Sequence, residues 1–545
     1  MNKVAHYLQE HLMGEVMVDM DARRYFSTDT SVLEIVPAMI VYPRNENDVR
    51  KTARFAWQLA ERGRPIPITA RGSGTDQSGG AIGKGIMMVF PAHMNKILEL
   101  DTRTGNVIVE PGLNYAKLQQ ALHTHGRFLP PFPSSMEYST IGGAIGNNAS
   151  GEKTIKYGST RNFIDRMRVV LANGEVMETR RLSKRELNKK MGLSSFEGEI
   201  YRTIDALIEE NHDLVKNLGF DVSKNTAGYD IGSVKQKDGS FDLTPLFVGS
   251  QGTLGIVTEA TVATEPYNPT STLIAALVTN LDHAKEIVIE LNKMSKPPCA
   301  IEVVDEHLLN FVHNNNPNQL KGILKPPFPQ LVMLIEFDDF SPKQQKKNAK
   351  KVIKFLNSLD IQTKVETEAH KKEELWKIRH TAASVIAFTK GEVRALPIIE
   401  DGIVPVERFD EYLDKVYDLF KKNHLEAAVW GHAGNANLHM QPFLDLTSLG
   451  DRQKVFRLID DYYNMVIELG GSTSGEHNDG RIRAPYLSKL YGPETYEIFA
   501  KIKRAFDPHG VLNTGVKIDV AIDDIKPLLR NEYSVTHLYD HMPHS

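Results

Sequence analysis

The sequence is almost without cysteine: Cys299 stands alone among 545 residues. One thiol closes no internal disulfide, ligates no iron–sulfur cluster and builds no zinc knuckle. Cys299 follows Pro297-Pro298 in an apolar stretch and reads as a buried thiol. Long hydrophobic runs are missing too. No stretch of eighteen apolar residues occurs, so no membrane-crossing helix is expected. Met1-Asn2-Lys3-Val4-Ala5-His6 opens neither an apolar core nor a cleavage signal. Charge of one sign is scarce as well. The formal net charge is −4, and aromatics are not interleaved with basic clusters, which argues against a nucleic-acid partner. Two basic stretches stand out, Arg180 to Lys190 and Lys343 to Lys354. The second shows Val352, Phe355 and Leu356 at helical spacing and reads as a solvated helix face over a core, with membrane-surface contact as the alternative. The expected location is cytoplasmic, with peripheral attachment at the inner face of a membrane as the second option.

What is present is the composition of a soluble globular protein, 41% hydrophobic and 25% charged. The length suits two large domains. Residues 1–35 read as a helical lead-in, with Val4, Leu8 and Leu12 on one face. Ala38 to Tyr42 reads as a strand, followed by a helix that Asn47 can cap, striped by Val49, Ala53, Ala56, Trp57 and Ala60. Further short strands and helices follow up to Val262. Pro266, Asn268 and Pro269 mark a boundary, which divides the chain into 36–267 and 268–518. Strand–helix pairs at 272–294 and 331–357 predict a mixed or antiparallel sheet covered by helices, so the fold class is α+β. Residues 519–545 form a polar tail with His537, His541 and His544 and are expected to be loosely held.

Three glycine-rich segments carry the first chemical signal. Arg71-Gly72-Ser73-Gly74-Thr75-Asp76-Gln77-Ser78-Gly79-Gly80 follows a strand. Its glycines let backbone N–H groups converge on an anion. It departs from the dinucleotide pattern G-x-G-x-x-G, and no helix clearly follows it. The second segment runs from Pro133-Ser134-Ser135 through Ser139-Thr140-Ile141-Gly142-Gly143 to Asn147-Asn148-Ala149-Ser150-Gly151, and reads as a long loop packed by Ile141 and Ile145. The third is Gly249-Ser250-Gln251-Gly252-Thr253-Leu254-Gly255, just ahead of a strand that begins Ile256-Val257.

Two further segments carry the second signal: Gly431-His432-Ala433-Gly434-Asn435-Ala436-Asn437-Leu438-His439 and Ser474-Gly475-Glu476-His477-Asn478. Two imidazoles and a carboxylate are ligands for a divalent metal, and zinc, manganese and iron all suit them. His432 and His439 are seven residues apart, an odd spacing that puts them on opposite faces of a regular strand. A bend at Gly434-Asn435 must therefore bring them together. Glu476 is the third ligand. His477, its neighbour, points away along an extended chain and is the better proton acceptor, since an imidazole's ordinary pKa of about 6.5 suits a base at neutral pH.

The three glycine segments, in this order, resemble the FAD-binding domain of the p-cresol methylhydroxylase/vanillyl-alcohol oxidase family over roughly residues 36–267. The resemblance implies that the first loop wraps the pyrophosphate, the second follows the ribityl chain and isoalloxazine, and the third supports the adenine side. Cofactor contacts are then expected from Arg71 through Gln77. They continue through Pro133, Ser134, Ser135, Ser139, Thr140, Gly142 and Gly143. Asn147, Asn148, Ala149, Gly151, Tyr157, Gly252, Gly255, Ile256 and Val257 complete that side. The family usually has a glutamate where Gln251 stands. Many relatives bind FAD covalently through a histidine near the first loop; this loop has none, so non-covalent FAD is expected.

The second half resembles the FAD-linked 2-hydroxyacid dehydrogenases, which include D-lactate dehydrogenases and glycolate oxidase flavin subunits. The matching pieces are Ala300 to Asp305, Leu375 to His380, Glu400 to Pro405, both histidine segments and Phe506 to Asn513. This resemblance implies that His432, His439 and Glu476 hold the metal, that His477 is the base, that Arg379 grips the substrate carboxylate and that Asn513 lies near the flavin. It implies oxidation of a small D-2-hydroxy acid to the 2-oxo acid, with hydride passing to flavin N5. Electrons then leave to a quinone, cytochrome, electron-transfer flavoprotein or iron–sulfur subunit. Two other readings are a non-redox FAD transferase like alkyl-glycerone-phosphate synthase and a non-catalytic flavin subunit. Two departures matter: Asn435-Ala436 replaces the usual Asp-Gly, and Asn478 replaces a glycine.

Overall fold

A computed structural model describes residues 3–382, 385 and 389–541 of the chain. His544 lies outside the described residues. Short apolar strands build three large sheets and a two-stranded ribbon, Arg127–Phe128 with Glu265–Pro266. In the first sheet Met39–Tyr42, Ile86–Val89 and Ile68–Arg71 run parallel. Glu15–Met17 joins them antiparallel at the edge, so the lead-in is more than helix: it supplies a strand. The second sheet is antiparallel, in the order Ile97–Leu100, Val107–Val109, Ile256–Val262, Ile164–Val170, Val176–Thr179. The third has eight strands, in the order Gln362–Glu366, Thr272–Val278, Leu331–Phe337, Ala300–Asp305, Ala427–His432, Asn437–Asp445, Val393–Ala395, Thr389–Lys390, and every pair is antiparallel. The fold is α+β.

The large sheet buries both faces. Ile274, Ile301, Val303, Met333, Ile335 and Val429 face helices Asp282–Asn292, Pro342–Ser358, Phe409–Lys422 and Leu449–Glu468. Leu273, Val304, Val332, Leu334 and Trp430 face helices Glu306–Asn315 and Ala369–His380. Burying each such side chain contributes roughly 1.5–3 kcal/mol. Because strands alternate, Glu302, Glu336, His432, His439 and Gln441 emerge on the second face. That face looks towards the glycine segments.

Three sequence expectations change and a fourth holds. Helix Glu46–Glu61 is capped by Asn45, whose side chain accepts from Asp48 N–H, so the expected cap Asn47 falls inside the helix. The second glycine segment is not all loop. Ile141–Asn147 is a helix capped by Thr140, and Gly142 is needed because a Cβ there would sit 2.6 Å from Pro111 Cβ. Close approach, rather than flexibility, explains Gly142. The tail is packed, not loose. Leu529 bridges to Leu33, Arg530 Nε donates to Leu33 O (3.0 Å) and Tyr533 hydroxyl donates to Thr30 O (2.8 Å). A few well-spaced anchors hold a segment whose average composition is polar. Finally, the lysines of helix Pro342–Ser358 are exposed while Val352 and Leu356 are buried, which is the solvated-face reading. No helix among the described residues is long and apolar enough to cross a membrane.

Candidate active site

The three glycine segments meet around a narrow slot. Arg71 to Asp76, Thr140, Gly142, Gly143 and Asn147 line it from two sides, and Gly252, Gly255 and Val257 from the third. Gly74 has φ +81°, and a Cβ there would run into the Arg71 guanidinium. Of the residues lining the slot, Arg71 Nε and Nη2 and Ser73 Oγ are buried without a hydrogen-bond partner among the described residues. Each orphaned polar group of this kind costs about 1–3 kcal/mol, so the slot is built for a polar, anionic occupant. Asp76 ties the segments together: it accepts from Ser78 N (3.0 Å), Gly80 N (2.7 Å) and Asn147 Nδ2 (2.9 Å). Gln251 donates to Ser78 Oγ (3.0 Å) and faces Asp76 Oδ1 at 3.4 Å, while its Oε1 accepts from Gly480 N (2.8 Å). A glutamate here would set two carboxylates against each other; glutamine suits the neighbour.

Other expected cofactor residues lie elsewhere. Gln77, Ser134 and Ser135 line an adjoining, larger cavity, which Thr75 borders as well as the slot. Pro133, Ser139, Asn148, Ala149, Gly151, Tyr157 and Ile256 line neither space. Tyr157 hydroxyl donates instead to Asp338 (2.9 Å). Asn513 is fully buried behind the slot, accepting from Thr69 Oγ1 (3.0 Å) and donating to Gly80 O (2.8 Å) and Gln251 O (2.7 Å). It braces two segments from this position.

The histidine pair converges by a device the spacing alone did not reveal. Strands Ala427–His432 and Asn437–Asp445 form a hairpin in which His432 pairs with Asn437 and Trp430 with His439. Paired residues share a face, so His432 and His439 point the same way from opposite strands. Ala433–Asn435 and left-handed Ala436 (φ +51°) make the turn, and Asn435 Nδ2 donates to Ser223 Oγ (2.7 Å). Glu476 Oε1 lies 2.9 Å from His432 Nε2 and 3.2 Å from His439 Nε2. The donor atoms of the three residues all fall within 4.8 Å of one another. Separations of about 3 Å between such atoms suit bonds of about 2.0–2.1 Å to one ion.

Each of these side chains is held from behind. Glu302 Oε1 pairs with His432 Nδ1 (2.7 Å). Lys224 Nζ (2.5 Å) and Ser150 Oγ (2.6 Å) donate to Glu476 Oε2. His439 Nδ1 faces Glu400 at 3.5 Å. Burial works against charge on His432, but the Glu302 and Glu476 carboxylates outweigh it and raise its pKa. Burial, with His477 close by, brings His439 down to about 4. Burial alone would raise the carboxyl of Glu476; His432 and Lys224 hold it well below the usual range. The result is a carboxylate facing one neutral and one stabilised imidazole.

His477 stacks on His439 with ring centroids 4.9 Å apart. Its Nδ1 contacts Glu400 Oε2 at 2.6 Å, and its Nε2 lies 3.7 Å from Glu476 Oε1. Glu400 is itself paired with Arg483. Asp401 accepts from the backbone N–H of Glu476 and of His477 (2.8 Å) and so fixes this loop. Glu400, Asp401, His439 and His477 also cluster closely enough for an ion. Their carboxylates are committed to Arg483, His477 and backbone, so this second group is a brace. Asn478 takes the left-handed turn at φ +69°, and its Nδ2 donates to Asn147 O (3.1 Å) and Gly249 O (2.9 Å), locking the loop onto the slot.

The larger cavity, about 830 Å³, adjoins the slot at Thr75, and none of His432, His439, Glu476 and His477 lines it. Arg379, Trp430 and Gln441 line it from the large sheet and its helix, and Tyr533, Val535 and Leu538 of the tail close another wall. Arg379 Nε donates to Glu302 Oε2 (2.8 Å), so one carboxylate orients both Arg379 and His432. Glu302, Glu400, Asp401 and Ser150 lie in segments that carried the resemblance but were given no role from sequence, and Lys224 lies outside them. They come from four separate stretches, and a lone acid or lysine in each carries no local pattern.

Comparison with known proteins now decides the family. Residues 37–180 match the FAD binding domain, and residues 268–516 match the C-terminal domain of FAD linked oxidases. The glycolate oxidase subunit GlcD of Bacillus subtilis is 30% identical over 90% of this chain and 92% of its own length. The chain belongs to the FAD-linked oxidase family. Within it, the D-2-hydroxyglutarate dehydrogenase of Escherichia coli is 29% identical over 93% of this chain but only 50% of its own length, so the chain spans about half of that relative. The D-lactate dehydrogenase of Archaeoglobus fulgidus is 26% identical over 92% of the chain and 96% of its length. In fold, this family member is similar to substrate-bound p-cresol methylhydroxylase, with a TM-score of 0.67 at 16% identity over 95% of this chain and 96% of that one. It is also similar to an alkyldihydroxyacetonephosphate synthase, with a TM-score of 0.60 at 15% identity over 94% and 85%. The unpartnered donors of Arg71 and Ser73 fit the pyrophosphate of FAD.

Proposed function

We propose that this flavoprotein dehydrogenates a small D-2-hydroxy acid to the 2-oxo acid, with help from a divalent metal. The observation that carries the reading is the convergence of His432, His439 and Glu476, with His477 stacked beside them. The names of the relatives, a glycolate oxidase subunit, a D-2-hydroxyglutarate dehydrogenase and a D-lactate dehydrogenase, support it. His432, His439 and Glu476 would hold the ion; two imidazoles and a carboxylate leave positions open and suit zinc, manganese or iron. When bound, the metal supplies Lewis-acid pull on the hydroxyl oxygen, and FAD supplies the two-electron acceptor for the C2 hydride.

The chain's own residues do the rest. Arg379 binds the substrate carboxylate at the cavity wall, its plane fixed by Glu302. His477 takes the hydroxyl proton at Nε2. Its Nδ1 contact with Glu400 places the resting proton on Nδ1 and stabilises the imidazolium as it forms. The C2–H bond breaks with its electron pair leaving as hydride, the O–H bond breaks to His477, and the C2–O bond becomes a carbonyl. A separate acceptor then takes the electrons: a quinone, a cytochrome, an electron-transfer flavoprotein or an iron–sulfur subunit. FAD is held without a covalent bond, so acid precipitation releases the yellow cofactor into the supernatant; flavin retained on the pellet contradicts this.

Elemental analysis tests the metal. One divalent ion per chain is expected in the wild type, lost in a His432→Ala/His439→Ala variant. A metal-free protein that oxidises a 2-hydroxy acid at full rate would overturn the reading.

A further inference from the structure

Among the residues that helix Ala369–His380 presents to the cavity, Lys372, Trp376 and Arg379 form one stripe. Seven residues at 1.5 Å rise set Lys372 about 10 Å along the helix from Arg379, on the same face. Arg379 is tied to Glu302 on strand Ala300–Asp305, next to the hairpin of the histidines. Lys372 lies further across the sheet, away from the metal-type cluster. Its Nζ donates to Ser271 Oγ (2.5 Å), and Ser271 Oγ donates on to Glu336 Oε1 (2.6 Å).

The charges of this end of the cavity do not balance. Glu336 pairs with Lys153 (3.1 Å), and Asp338 pairs with Lys153 (3.4 Å) and Lys156 (2.5 Å). Among the described residues no carboxylate lies within ion-pair distance of Lys372, although it is only 8% exposed. Three lysines thus share two carboxylates, which leaves one positive charge in excess at the wall. Tyr157 and Cys299 border the network, and burial pushes both above their ordinary pKa, so neither supplies the missing negative charge. Burial, with Lys153 nearby, lowers the pKa of Lys372 against the opposing pull of Glu336. Glu137 and Glu373 also border the cavity but are exposed, and Glu152 faces His380 at 3.6 Å. On the same cavity wall, Gln441 Oε1 is buried without a partner, two residues along the strand from His439 and on its face.

We infer that the cavity takes a 2-hydroxy acid with a second anionic group, a carboxylate, bound at Lys372, while its 2-hydroxycarboxylate end lies by Arg379 and His477. Trp376 offers the intervening methylenes an apolar shelf. Lactate has a single carboxylate and leaves Lys372 unanswered. The inference rests on the dehydrogenase reading above and names the substrate class within it.

The test uses the FAD- and metal-replete protein with a dye acceptor. D-2-hydroxyglutarate is expected to exceed D-lactate in kcat/KM by tenfold or more. In Lys372→Met the ratio of the two kcat/KM values falls about ten- to a hundredfold, the scale of one lost charged hydrogen bond of about 1.5–3 kcal/mol. Most of the fall is in KM, and Lys372→Arg keeps most of the preference. An unchanged ratio in Lys372→Met, or a preference for D-lactate in the wild type, overturns the inference. Binding to the wild type gives a second readout that needs no turnover or variant. Glutarate is expected to perturb the flavin spectrum at least tenfold more tightly than butyrate, and equal affinities count against the site. If neither hydroxy acid bleaches the flavin while glutarate still binds preferentially, the dehydrogenase reading fails and the anion site stands.

Discussion

In the cofactor slot, backbone and glycine set the shape: Gly74 and Gly142 stand where a Cβ would collide, and a single carboxylate, Asp76, ties the walls together. In the imidazole cluster, side chains set everything. His432 leans on Glu302, His477 on Glu400 and Glu476 on Lys224, and the carboxylates Glu302 and Glu400 are in turn held by Arg379 and Arg483. The slot leaves donors of Arg71 and Ser73 unspent, awaiting an anion, while the cluster spends nearly every charged atom on another. A cofactor that stays bound needs a complementary surface. A proton acceptor and a metal need fixed angles and a controlled charge, which outer carboxylates provide. The two regions should therefore fail differently when altered.

The largest effect is expected in the cluster. His477→Ala should slow flavin reduction by a D-2-hydroxy acid by roughly two to four decades, the scale of lost acid–base catalysis, with FAD content unchanged. Rapid-mixing absorbance under anaerobic conditions reads this directly, and a wild-type rate would remove His477 from the chemistry. Glu302→Gln should come next. Loss of the carboxylate behind His432 should weaken metal binding about 10–100-fold and also loosen Arg379, so KM rises too. Chelator competition measures the first part; unaltered metal affinity would mean that Glu302 serves Arg379 alone.

The slot should respond more mildly and in a different quantity. Gly74→Ala forces a side chain onto φ +81° beside the Arg71 guanidinium. At about 1–3 kcal/mol of backbone strain, FAD should dissociate about tenfold or more readily, with little change in metal content. Fluorescence of released flavin reports it. The smallest effect is a gain: Ala436→Gly relieves the left-handed residue of the histidine hairpin and should stabilise the fold by about 1 kcal/mol. Thermal unfolding checks the sign, and a loss of stability would show that the Ala436 methyl group packs better than its backbone is strained.

The same contrast governs what could be read from the chain. The slot was legible because its makers are contiguous: Arg71 to Gly80 and Ser139 to Gly151 are recognisable as strings. Even there, Ile141–Asn147 hid as loop, since glycine argues against helix until Pro111 is seen pressing on Gly142. Of the cluster, the histidines and Glu476 were legible from ligand chemistry, and the need for a bend was clear from their odd spacing. The hairpin pairing that satisfies it was not. The braces Ser150, Lys224, Glu302 and Asp401 were invisible as braces because each is one residue in a separate stretch, joined only by folding. The tail misled for a simpler reason. Its anchors, Leu529, Arg530 and Tyr533, are few, and the burial of an arginine cannot be read from average polarity.

The most direct measurement is the anaerobic absorbance of the purified, metal-replete flavoprotein during titration with D- and L-lactate, D-2-hydroxyglutarate and glycolate, repeated after chelation. Loss of the oxidised-flavin bands with a D-2-hydroxy acid, abolished by chelation and restored by a divalent ion, is the expected result. Bands retained with all four acids, or bleaching indifferent to the metal, would contradict metal-assisted oxidation at His432, His439, Glu476 and His477.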